Sequence, residues 1–83
     1  MKDRFEKVIN SLRGKIPEQQ LTSFSDIFKD SDPKIAIECV CTQIDELEVK
    51  ISQEQYEELN ALCSLAGVED SYLQDLKPHV IDI

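Results

Sequence analysis

Tryptophan is absent from this chain, histidine occurs once, and glycine and proline occur only two and three times. So little glycine and proline excludes collagen-like, low-complexity or linker-rich organisation. No glycine-rich loop is present to cradle a phosphate. His79 is the sole imidazole and lies near the end of the chain, so acid–base chemistry has no histidine in the body of the sequence. Long apolar runs are missing too. Ile35-Ala36-Ile37 is broken by Glu38 before Cys39-Val40-Cys41 resumes, far short of the roughly 20 apolar residues of a membrane span. Met1-Lys2-Asp3-Arg4-Phe5 carries charge without a following apolar stretch, so no secretory signal is expected. Cys39, Cys41 and Cys63 form no C-x-x-C pair and lack the histidines of a zinc site. They read as reduced thiols packed as small apolar residues, which points to the cytoplasm. No metal, no cofactor and no catalytic residue is expected.

What is present is acid. The 83 residues carry 17 Asp and Glu against nine Lys and Arg, a formal charge of −8, and one domain over 1–83 is all that this length supports. The sign argues against a nucleic-acid binder, because neutralising phosphates takes a lysine- and arginine-rich surface. The distribution is uneven. Residues 1–15 hold Lys2, Arg4, Lys7, Arg13 and Lys15 against Asp3 and Glu6, whereas residues 38–75 hold ten acids against Lys50 alone. Such a polarised charge suits steering towards a basic partner.

The apolar periodicity is helical throughout. Phe5, Val8, Ile9 and Leu12 form one stripe of a helix from about Lys2 to Arg13, stopped by Gly14. Pro17 opens a second helix whose inner face is Leu21, Phe24, Ile27 and Phe28. Asp32 and Pro33 cap and open a third, to about Leu47, with Ala36, Ile37, Val40, Cys41, Ile44 and Leu47 inward. Ile35 and Cys39 widen that stripe, so this helix is expected to be the most buried. Ser52 and Gln55 have the spacing of a capping box, with Ile51 and Tyr56 as its staple, for a fourth helix ending at Gly67. A short fifth helix runs from about Glu69 or Asp70 to Leu76, and Val80-Ile81-Asp82-Ile83 is either docked or frayed. The expected fold class is all-α, a compact antiparallel bundle of four to five helices.

Taken singly, each acid reads as part of a solvated face. Taken together, Asp45, Glu46, Glu48, Glu54, Glu57, Glu58, Asp70 and Asp75 can present one negative surface over the last three helices. Tyr72 is a candidate aromatic anchor there, and Tyr56 is more readily a core residue. Such a surface mimics a row of phosphates and fits the groove of a nuclease.

From Ile35 onward the chain resembles the MafI-like immunity proteins of bacterial polymorphic-toxin and contact-dependent growth inhibition systems, the CdiI group. The likeness rests on Ile35 to Ile44, on Val49-Lys50-Ile51-Ser52-Gln53-Glu54-Gln55-Tyr56, on Leu62 to Val68, and on Tyr72-Leu73-Gln74-Asp75-Leu76. Tyr72 stands where a larger aromatic is common, and Cys63 where a small residue is usual. The resemblance implies an immunity protein that neutralises the C-terminal domain of a cognate toxin, often a ribonuclease, in a tight one-to-one cytosolic complex. The alternative is a non-catalytic regulatory or adaptor module unrelated to any toxin.

Overall fold

The computed structural model describes residues 1–81. Five α-helices make up the bundle: α1 (Lys2–Ser11), α2 (Glu18–Asp30), α3 (Pro33–Glu46), α4 (Gln53–Ala66) and α5 (Asp70–Gln74). A 3-10 turn (Lys77–His79) follows α5. Two strands of two residues each, β1 (Ile51–Ser52) and β2 (Val80–Ile81), pair in parallel, with Ile51 opposite Val80 and Ser52 opposite Ile81. The fold is all-α, as the periodicity predicts, and the strand pair is an addition that no pattern announces. Val80 and Ile81 are therefore docked, while Asp82 and Ile83 lie outside the described residues. Among the described residues no helix is long and apolar enough to cross a membrane.

The helix boundaries follow local chemistry. Pro17 is the N-cap of α2, next to its first residue as expected; its carbonyl accepts from Gln20 N at 3.0 Å and from Leu21 N at 3.2 Å. Asp32 Oδ1 accepts from the Lys34 amide at 2.9 Å, with Pro33 first in α3. The capping box of α4 forms as expected: Gln55 N donates to Ser52 Oγ, and Ser52 N donates to Gln55 Oε1. The Gln55 amide nitrogen also donates to Ser11 Oγ at 2.9 Å, tying the start of α4 to the end of α1.

Two helices end in the same hydrogen-bond pattern. At the end of α4, Gly67 takes φ +75° and Val68 N donates to Cys63 O at 2.9 Å. At the end of α3, Val49 N donates to Ile44 O at 3.0 Å, and the left-handed position is held by Glu48 at φ +52°. Both are six-to-one closures of the Schellman type, but a side chain at positive φ is strained where glycine is not.

The stripes of α1 to α4 converge on one core of Phe5, Leu12, Leu21, Ile37, Ile44, Leu59 and Leu62, with Ile51 and Leu76 at its edge. Phe5 and Phe28 stack with ring centroids 4.3 Å apart, joining α1 to α2. Three positions depart from expectation. Leu47 is 46% exposed, because α3 stops one residue earlier and the chain reverses at Glu48, so that Val49 and Ile51 occupy the core instead. Ile35 is 45% exposed and Cys39 only half-buried. At 100° per residue Ile35 falls on the side of α3 opposite Ile44, while Cys39 lies at the border of the inner stripe and packs partly against the core. Ile35 does not widen the inner stripe; with Cys39 at the border, it begins a second one.

Candidate functional site

The nine residues marked out by the sequence fall into distinct places. Asp45 and Glu46 end α3, while Tyr72 belongs to α5 and Asp75 caps its C-terminus. These four line one cleft together with Cys41 and Thr42. A neighbouring groove shares Thr42, Glu46 and Tyr72 with it and extends along α3 past Glu38, Cys39 and Ile35 to Phe24 of α2. Among the described residues no lysine, arginine or histidine lines either concavity.

Glu54 and Glu58 sit elsewhere. They are one turn apart on α4 and line a cleft with Lys7, Val8 and Ser11 of α1. Oε2 of Glu58 is shielded there and has no hydrogen-bond partner. The acids of the second half therefore divide between an α3–α5 face whose clefts no described lysine or arginine lines and an α1–α4 cleft containing Lys7. Glu48 is exposed on the strained turn after α3, Glu57 is exposed on α4, and Asp70 is exposed in the first turn of α5.

Tyr72 is partly buried against the core, and its phenol is pushed above the ordinary range. Glu38 is the largest cause, followed by burial and then Glu69. A phenolate beside carboxylates is disfavoured by like-charge repulsion, so the neutral hydroxyl is the form that faces this acidic surrounding. Cys41 is buried, and its thiol is pushed well up, first by a hydrogen bond with Cys63 and next by burial. A nucleophilic cysteine needs the opposite setting, electropositive and exposed. Among the described residues no group of three or more His, Cys, Asp or Glu side chains is placed to hold a metal ion.

Two features of this face were not singled out from the sequence. Asp45 Oδ1 lies 2.9 Å from Nε2 of His79, a contact between residues 34 positions apart. Glu38 and Ile35 join the groove although neither stood among the candidate residues. The available signal was spacing: Ile35, Cys39, Thr42 and Glu46 recur at i, i+4, i+7 and i+11, a second helical line on α3.

Comparison with known protein families, with characterised proteins and with solved structures returns no match.

Proposed function

We propose that this protein is a non-catalytic inhibitor of the immunity-protein kind, binding the C-terminal domain of a cognate toxin, a nuclease with a basic substrate groove, in a one-to-one cytoplasmic complex. The observation that carries this reading is the convergence of Asp45, Glu46, Tyr72 and Asp75 on one cleft that no lysine or arginine lines among the described residues. With a formal charge of −8, the protein draws a cationic partner in over the Debye length of about 8 Å at physiological salt. The carboxylates then guide and orient the encounter, and the partly buried Tyr72 ring supplies a rigid contact at low entropic cost. The resemblance from Ile35 onward supports the toxin as partner, and the acidic face supports a nuclease over an anionic target.

The test is genetic and biochemical. The gene beside this one should encode a large secreted protein whose C-terminal domain co-purifies with this chain and kills cells that lack it. A neighbour whose terminal domain neither binds nor harms such cells would overturn the reading.

A further inference from the structure

Helix α3 carries two stripes, and only one is used by the core. The inner line of Ala36, Ile37, Val40, Cys41 and Ile44 is fully buried. The outer line of Ile35, Cys39, Thr42 and Glu46 spans about 16 Å of helix, some three turns. It lines a groove together with Glu38 and Gln43 of the same helix, Phe24 of α2 and Tyr72 of α5. A lone exposed isoleucine is ordinary on a protein surface. Here Ile35 lies in a concavity whose lining also includes Phe24 and Tyr72, and the charged members of that lining, Glu38 and Glu46, are both acidic. Apolar and aromatic side chains interleaved with carboxylates of one sign are the complement of an amphipathic basic helix.

We infer that this groove docks one helix of a protein partner, a helix presenting an apolar side chain to Ile35 and Cys39 with lysine or arginine on either side for Glu38 and Glu46. The inference deepens the reading above and rests on it for the sign of the partner's charge. A second copy of this chain fits poorly. It also carries −8, and its lysine-bearing α1 has already spent Phe5, Val8 and Ile9 on its own core. A three-turn line matches anchors at i, i+4 and i+7 of an incoming helix, and the carboxylates fix its register.

The test uses the whole protein, isotopically labelled, with a synthetic helical leucine–lysine peptide as probe and a serine–lysine peptide of equal charge as control. The leucine–lysine peptide should shift the amides of Ile35, Cys39, Thr42 and Tyr72 and bind more tightly than the control. Ile35→Ser, which removes apolar contact without adding charge, should weaken it about tenfold. Leu65→Ser, at a more exposed leucine of α4, should leave it unchanged. Ile35 is half-exposed, so the variant should fold; alkylation of Cys39 in the native protein provides the same block without a substitution. Equal binding of the two peptides, shifts centred on Glu54 and Glu58, or a self-association abolished by Ile35→Ser would each overturn the groove assignment. If the neighbouring toxin domain binds the Ile35→Ser protein at full strength, the groove fails while the immunity reading stands. If the peptide docks as described but no toxin domain is captured, the groove stands and the immunity reading fails.

Discussion

Asp45 at the end of α3 and His79 in the 3-10 turn meet with Nε2 and Oδ1 2.9 Å apart, across 34 residues of sequence. A carboxylate can only accept, so the imidazole nitrogen carries the proton. The contact ties the last turn of the chain to the acidic end of α3, beside the place where β2 pairs with β1. It also means that Asp45 is less free than Glu46 or Asp75 to meet a partner.

His79→Ala should loosen the tail. Asp45 is about half exposed, so a double-mutant cycle between Asp45→Asn and His79→Ala should give a coupling of about 0.5 kcal/mol. Hydrogen exchange should speed up at the β1–β2 pair before it does in α1. Unchanged exchange there would mean that the strands hold without the side-chain contact.

The two matched helix ends make opposite predictions. Glu48→Gly should stabilise the protein by about 0.5–1 kcal/mol, because it removes a side chain from positive φ. Gly67→Ala should destabilise it by about 1 kcal/mol for the converse reason. Open space surrounds a Cβ at Gly67, so that cost is backbone strain alone. Thermal unfolding of both variants checks the pair. A stabilising Gly67→Ala would sink the Schellman assignment.

Much of this architecture was legible because it is local. The capping box at Ser52 and Gln55, the Asp32–Pro33 start and the Gly67 stop are satisfied within a few residues, and the inner stripes follow from helical period alone. What escaped the sequence depends on tertiary placement. Ile35 and Cys39 are apolar at helical spacing, and only packing decides whether such a line faces the core or solvent. The pairing of Ile51 with Val80 joins segments with no alternating pattern, and the Asp45–His79 contact needs the chain to return to α3. The acids could be counted from the sequence, but which of them share a cleft depends on how α4 and α5 rotate against α1 and α3. For that reason Glu54 and Glu58 parted from Asp45 and Asp75.

The thiols should separate by reactivity. Cys41 and Cys63 are buried at about 1% exposure each, and the Cys41 thiol is pushed up by its bond to Cys63 and by burial. At neutral pH an aromatic disulfide reagent should therefore modify one cysteine quickly, and Cys39→Ser should abolish that fast phase. The remaining two should react only as the protein unfolds. Two or more fast thiols in the native protein would contradict the packing of α3 against α4.

Tyr72 offers a direct probe of the acidic groove. In a Tyr56→Phe background, the absorbance titration of the remaining phenol should fall above its ordinary value of 10.0. Glu38→Gln should move it downward by removing the largest cause. A titration indifferent to Glu38 would show that the two side chains do not share the groove.

The central claim is that the α3–α5 face, rather than the α1–α4 cleft, meets a cationic partner. Association rates of the purified neighbouring toxin domain, measured by stopped flow at low and physiological salt, test it most directly. Reversing Glu46 and Asp75 to lysine should slow association at least tenfold and flatten its dependence on salt, while reversing Glu54 and Glu58 should change the rate far less. The opposite ranking, with Glu54 and Glu58 dominant and Glu46 and Asp75 silent, would contradict the account.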